Sequence, residues 1–231
     1  MKEIQNTLIN YLSDSGWEKE LYQYLHSKDF LHILEQLKAF REDNKRFTPQ
    51  VQYMLRWLEI CPVNSLKAVI MIDDWTGNNK EYTGVPYSKA NDRLRKNEYT
   101  GEPVQSWNCI ENLLSPIKAV FVKHERQFDY NIERWSKQGV LLFPLASTYR
   151  LEGKPHYELW KDFTARIIDV INSTTKDVPV LLVEKKAYEY EMLYSSKNTM
   201  LCTAFPKCSL PSWPEDINKI LVNQHKEPIK W

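Results

Sequence analysis

Four apolar runs in this sequence end abruptly, and charged residues at three of these ends are suited to acid–base and electrostatic chemistry. Asp73 and Asp74 follow the first run, Pro144 the second, residues 184–185 (E-K) the third and residues 205–207 (F-P-K) the fourth. Two adjacent carboxylates raise each other's pKa if both face one pocket. Ligands bind beyond the carboxyl ends of the strands in parallel sheets, so we expect the four segments to converge on one crevice.

The apolar runs are continuous rather than alternating, which is typical of strands buried on both faces of a parallel sheet. They are predicted strands at residues 68–72, 139–143, 178–183 and 199–204, with a weaker candidate at 118–122. Apolar residues at helical spacing fill the first third of the chain, including a stretch from about Pro49 to Glu59. Further helices are predicted from Leu159 to about Asn172 and from Pro214 onward.

Strands that alternate with helices predict an α/β fold, a three-layer sandwich whose central, mainly parallel four-stranded sheet is flanked by helices. We expect one domain over residues 1–231, with a helical N-terminal part of about 60 residues. The absence of any repeat, long linker or break in composition supports this expectation.

Composition excludes several classes of function. The net charge is +1, which does not suit a protein that coats nucleic acid, although an enzyme that touches a few phosphates remains possible. No stretch resembles an export signal or reaches the ~18 apolar residues of a membrane span. The four cysteines and five histidines form no zinc-like cluster. We therefore expect a cytoplasmic protein with reduced thiols, no metal, no cofactor and no membrane partner.

Five segments carry recognisable patterns, in one order along the chain: V-I-M-I-D-D-W-T at 69–76, G-V-P-Y-S at 84–88, W-S-K-Q-G-V-L-L-F at 135–143, P-H-Y-E-L-W-K-D-F-T at 155–164, and N-K-I-L with the terminal P-I-K-W at 218–231. Together they resemble the motifs of uracil-DNA glycosylases over roughly residues 50 to 231. The resemblance implies that family's fold and its action on a base flipped out of DNA.

The resemblance assigns roles to two residues that keep the family's chemistry, Asp74 and Tyr87. Asp74 falls on the catalytic aspartate, and Asp73 replaces a glutamine, so an alignment shift of one residue would exchange the two. Tyr87 falls on the aromatic residue that stacks on the base. The alternatives are a turn carboxylate that caps the strand end for Asp74 and an ordinary half-buried tyrosine for Tyr87.

Other positions depart from the family. Pro144 replaces the base-reading asparagine and has no side-chain hydrogen-bonding group. Phe205 replaces the histidine that stabilises the leaving base, and losing one such donor costs about 10²–10³ in rate. Thr76 replaces the tyrosine that excludes 5-substituted pyrimidines, which leaves room for a different base. Substitute donors are Lys207, Lys185 and His156, although His156 equally fits a loop histidine with a local hydrogen bond.

The resemblance also implies DNA contacts through Ser88, Ser106, Lys207 and Leu210. Leu210 or Trp213 would enter the minor groove as an apolar wedge, unless both pack against the last helix.

Three functions remain open on the sequence alone. The first is a monomeric DNA glycosylase for uracil or a related pyrimidine in single- or double-stranded DNA. The second is a glycosylase-fold module with little or no catalysis that binds DNA, an inhibitor protein or a replication protein. The third is an unrelated α/β enzyme, for which no phosphate loop, nucleophile elbow or metal motif is present.

Overall fold

The computed structural model describes residues 1–73, 83–86, 88, 132–150, 155–183, 185–203 and 212–231. The α-helices of these residues are α1 (Lys2–Tyr11), α2 (Trp17–Glu20), α3 (Tyr22–Leu25), α4 (Lys28–Glu42), α5 (Arg56–Glu59), α6 (Glu133–Ser136), α7 (Tyr157–Thr174) and α8 (Trp213–Asn223). Short 3₁₀ segments lie at Val51–Tyr53, Val63–Ser65 and Lys185–Leu193.

The strands of the same residues form two sheets. They are β1 (Phe47–Thr48), β2 (Ala68–Ile72), β3 (Val140–Pro144), β4 (Tyr149–Arg150), β5 (Val180–Val183) and β6 (Met200–Thr203). β2, β3, β5 and β6 form a parallel sheet in the order β3-β2-β5-β6, and β1 pairs with β4 as a short antiparallel ribbon. The four parallel strands therefore all end at one edge of the sheet.

Alternation of side chains along β2 divides the apolar core into two layers. Val69 and Met71 pack with residues from α1 to α5 and from α7 on one face. Ala68, Ile70 and Ile72 pack with residues of α6 and α8 on the other. Burial of both faces explains why the strands are continuously apolar in sequence, and it confirms the predicted three-layer α/β sandwich.

The predicted elements match the described ones closely. The run 68–72 is β2 itself, the other three strands lie within two residues of prediction, and α7 extends the predicted helix by two residues at each end. The stretch predicted as one helix from Pro49 to Glu59 is instead a 3₁₀ segment followed by the one-turn α5. The candidate strand at 118–122 lies outside the described residues. None of the described helices has both the length and the apolar composition needed to cross a membrane.

Candidate functional site

The carboxyl edge of the parallel sheet brings together segments that are far apart in sequence. Ile72 at the end of β2 pairs with Pro144 at the end of β3 and with Val183 at the end of β5. Val183 in turn pairs with Thr203 at the end of β6. The sheet thus places Asp73 and Pro144 on adjacent strands at one edge, where the sequence predicts a crevice.

Asp73 is held at this edge by a side chain from another layer. The Tyr157 hydroxyl, at the first position of α7, donates a hydrogen bond to Asp73 Oδ1. Lys186 lies in the 3₁₀ segment after β5, with its Nζ 5.7 Å from the centre of the Tyr157 ring. Its hydrogen bond to Glu189 raises the pKa of Lys186, and the negative charge of Asp73 adds to this effect. A carboxylate, a phenol and an ammonium therefore meet beyond the ends of β2 and β5.

His156 precedes Tyr157 and makes a local hydrogen bond. Its Nδ1 lies 2.9 Å from the Thr148 hydroxyl, which also accepts a 2.7 Å hydrogen bond from the Trp160 indole. The imidazole ring packs 5.0 Å from the ring of Phe40. Burial, together with a smaller effect of the Arg150 charge, lowers the pKa of His156 to about 4. His156 is therefore neutral at pH 7, and its contacts are those of the loop histidine considered from the sequence.

This lowered pKa predicts how stability depends on pH. An unfolded histidine has a pKa near 6.5, so the unfolded chain binds more protons than the folded chain between pH 6.5 and about 4. The free energy of unfolding should fall as pH drops through that window. After allowance for solvent screening of the partly exposed ring, the His156 contribution should be on the order of 1–2 kcal/mol.

Urea unfolding at pH 7 and pH 5 measures this contribution. His156→Gln protein should lose less stability between the two pH values than wild-type protein. The control is His26→Gln, which removes an exposed histidine and should leave the wild-type difference intact. An equal loss in wild-type and His156→Gln protein would show that the His156 ring is not the group responsible.

The segment predicted to contact the base is fastened to the helical layer. Ser88 is buried, and its hydroxyl donates a 2.7 Å hydrogen bond to Glu133 Oε1. Arg56 of α5 binds both oxygens of Glu133, at 2.6 and 2.7 Å, and also contacts the Thr83 carbonyl at 3.3 Å. Burial disfavours ionisation of Glu133, but the hydrogen bonds from Arg56 and Ser88 lower its pKa overall. This network anchors the chain on both sides of Tyr87.

Gly84 allows the same segment to approach the helical layer closely. Its φ is +85°, and a Cβ at this position would lie 1.9 Å from the carbonyl oxygen of Tyr53. No side chain fits there, so the G-V-P-Y-S pattern has a packing reason for its glycine.

Only some of the site residues predicted from the sequence lie in the part of the chain that the structure describes. Asp73, Ser88, Pro144 and His156 are placed as above, and Trp213 is fully buried against Trp231, in keeping with the packing alternative. The predicted site residues outside the described part of the chain are Asp74, Thr76, Tyr87, Ser106, Phe205, Lys207 and Leu210. Within that part, no group of three acidic, cysteine or histidine side chains is arranged to hold a metal ion.

Sequence reasoning missed Tyr157, Arg56 and Glu133. Tyr157 stands next to His156 in a recognisable motif, but the family pattern has no fixed residue at that position. The Arg56–Glu133 pair joins residues 77 positions apart, and no local pattern signals such a pair.

Comparison with known proteins bears on this arrangement. No protein-family model matches the chain. It is 26% identical over 227 residues to the uracil-DNA glycosylase of Buchnera aphidicola subsp. Acyrthosiphon pisum, which covers 94% of this chain and 97% of that protein. It is 24% identical over 194 residues to the uracil-DNA glycosylase of Amoebophilus asiaticus, covering 83% and 82%. The crystal structure of mimivirus uracil-DNA glycosylase superposes with a TM-score of 0.72, covering 93% of this chain and 85% of that one at 18% identity.

The chain is therefore similar to uracil-DNA glycosylases in sequence along most of its length, and it shares their fold. Members of the superfamily are matched along almost the whole chain, including the helical N-terminal part that the motifs do not cover. A mimivirus UNG has also been crystallised in complex with UGI, with a TM-score of 0.72, 18% identity and coverage of 93% and 87%.

Proposed function

We propose that this protein is a DNA glycosylase that hydrolyses the N-glycosidic bond of uracil, or of a related pyrimidine, flipped out of DNA. Water adds to C1′ of the deoxyribose as the C1′–N1 bond breaks, and the base departs with the bonding electrons and is then protonated. Asp74 stabilises positive charge on the sugar and orients the water. Tyr87 stacks on the base, and DNA keeps an abasic site.

The placement of Asp73 carries this proposal. Asp73 lies at the carboxyl end of β2, where its carboxylate accepts the Tyr157 hydrogen bond. A residue held by α7 in this way is suited to positioning the end of the strand. The adjacent Asp74 is then the carboxylate assigned to the reacting sugar, in agreement with the unshifted motif alignment.

The anchoring of Ser88 supports the role of Tyr87. Arg56 and Glu133 hold Thr83 and Ser88, which anchors this segment on both sides of Tyr87. A stacking ring on such a segment loses little entropy when the base binds, which favours a preformed pocket.

The direct test is incubation of purified protein with oligonucleotides that contain one uracil, single- or double-stranded, followed by alkali to cleave abasic sites. We expect cleavage at the uracil only, at a rate about 10²–10³ below that of a glycosylase with the usual leaving-group histidine, because Phe205 cannot donate a hydrogen bond. The control is the same oligonucleotide with thymine at that position.

The second candidate is a glycosylase-fold module that binds DNA or a protein with little catalysis. Pro144 and Phe205 favour it, since both positions have lost the polar groups that act on the base. Absence of cleavage at high protein concentration, with folding confirmed by circular dichroism, would favour this candidate if 5-substituted pyrimidines were also left intact. An inhibitor such as UGI, which binds a mimivirus UNG, is then the first protein partner to test.

A further inference from the structure

A basic cleft lies between the end of α4 and β1. Its volume is about 310 Å³. Polar and cationic side chains form most of its wall, with one aromatic ring: Arg41, Asn44, Lys45, Arg46, Phe47 and Gln50. None of these residues belongs to the motifs that define the family resemblance.

The end of α4 explains why the two arginines line one cleft. Asn44 adopts a left-handed conformation, with φ of 55°. The Lys45 amide donates back to the Phe40 carbonyl at 2.8 Å, and the Asn44 amide donates to the Arg41 carbonyl at 3.1 Å. This tight helix end reverses the chain direction, so Arg46 returns to the side of the helix that carries Arg41.

The positive charge of the cleft is only partly neutralised. Asp43 pairs with Lys45 at 2.8 Å, and Glu42 pairs with Lys38 at 3.5 Å. Among the described residues, no carboxylate lies within ion-pair distance of the exposed guanidinium groups of Arg41 and Arg46. Arg41 also complements the dipole of α4, but Arg46 lies beyond the helix, so the dipole does not account for it.

The residues that begin α7 connect the cleft with the carboxyl edge of the sheet. Phe47, in the cleft wall, lies 6.2 Å from the His156 ring. His156 is followed by Tyr157, whose hydroxyl holds Asp73. Phe47 in the cleft wall is thus linked to Asp73 through the His156 ring and the next residue along the chain, Tyr157.

We propose that this cleft is a phosphate-binding site for the DNA strand that flanks the flipped nucleotide. Two guanidinium groups match phosphate oxygens, amides of Asn44 and Gln50 add neutral donors, and the Phe47 ring offers a face to an unstacked base. The site supplies a local grip on DNA that the near-neutral whole chain lacks. This inference rests on the proposed function only in taking DNA as the substrate.

Binding of DNA without uracil tests the cleft separately from catalysis. The probes are fluorescein-labelled 20-mers, single- and double-stranded, with fluorescence anisotropy recorded from 50 to 200 mM salt. For each phosphate that a variant no longer binds, the slope of log K against log salt should become shallower by about 0.9 on duplex DNA and about 0.7 on single strands. The Arg41→Gln/Arg46→Gln double variant should therefore show a slope shallower by about 1–2 than wild type and an affinity lower by about tenfold at 100 mM salt.

Two matched variants separate this site from non-specific charge. Lys176→Gln/Lys226→Gln removes the same charge near the amino edge of the sheet, where Lys67, just before β2, donates to the Glu227 carbonyl. This control variant should bind the labelled DNA with the same affinity and salt dependence as wild-type protein. Arg41→Lys/Arg46→Lys keeps the charge and should recover most of the slope. Equal slopes for wild type and the Arg41→Gln/Arg46→Gln variant would overturn the proposal, as would an equal loss in the Lys176→Gln/Lys226→Gln control.

Discussion

Asp74→Asn protein should release uracil about 100-fold or more slowly than wild-type protein, whereas Asp73→Asn protein should keep most of the wild-type rate. Removing one preorganised charge-stabilising group costs about 10²–10³ in rate, which is the basis for the loss expected in Asp74→Asn protein. The small loss expected for Asp73→Asn follows from the Tyr157 hydrogen bond. An asparagine side-chain oxygen accepts a hydrogen bond from the Tyr157 hydroxyl as a carboxylate oxygen does. Asp73→Asn also gives the position an uncharged amide, as in the family's glutamine.

Single-turnover assays with uracil-containing single strands, run with enzyme in excess, would measure both rates. Binding of uracil-free DNA should be nearly unchanged in both variants, which separates catalysis from affinity. A larger rate loss in Asp73→Asn than in Asp74→Asn protein would mean that the motif alignment is shifted by one residue. Asp73 would then be the reacting carboxylate, and Tyr157 would be its hydrogen-bonding partner in catalysis.

Gly84→Ala should destabilise the protein more than Gly16→Ala does. Gly16 provides a matched control, because its φ of +77° carries a similar backbone penalty for alanine, about 1–2 kcal/mol. At Gly16 the nearest atom to a new Cβ is a valine methyl of Val63 at 3.2 Å, which can move. At Gly84 it is the Tyr53 backbone oxygen at 1.9 Å, so Gly84→Ala should cost roughly 1–3 kcal/mol more than Gly16→Ala.

Urea unfolding measures the difference in unfolding free energy between the Gly84→Ala and Gly16→Ala variants. The glycosylase assay then measures whether the Gly84 change also affects activity. At a temperature where both variants are folded, Gly84→Ala should lose activity and Gly16→Ala should not, since only the former displaces the chain that carries Tyr87. Equal stability losses would indicate that the Tyr53 backbone yields freely. The anchoring of this segment would then be weaker than the Arg56–Glu133 network suggests.

Local sequence patterns were sufficient to predict the sheet. Burial on both faces keeps β2, β3 and β5 apolar, so residues 68–72 are recognisable as a strand without any partner. The β1–β4 ribbon was not predictable, since each strand has only two residues and shows no periodicity. The stretch after Pro49 has helical spacing, yet it forms only a 3₁₀ segment and the one-turn α5.

The candidate site was predictable only where a motif or a strand end marks it. Asp73 and Pro144 follow from strand ends, and Gly84 and Ser88 from their motif. The Tyr157–Asp73 bond and the Arg56–Glu133 pair join residues 84 and 77 positions apart. Such contacts depend on how the layers pack, so they are visible only in three dimensions. Burial of the Ser88 hydroxyl likewise depends on Glu133, which no pattern connects with it.

The central position of β2 has a consequence for synthesis of the chain. Ile70 pairs with Leu142 and Leu181, which emerge from the ribosome about 70 and 110 residues later. At 5–20 residues per second, the strand waits several seconds for its neighbours, with its apolar side chains lacking their final cover. Pairing over such distances also slows folding itself. The nascent chain should therefore depend on chaperones until β5 is made, and slowed translation after residue 72 should increase aggregation.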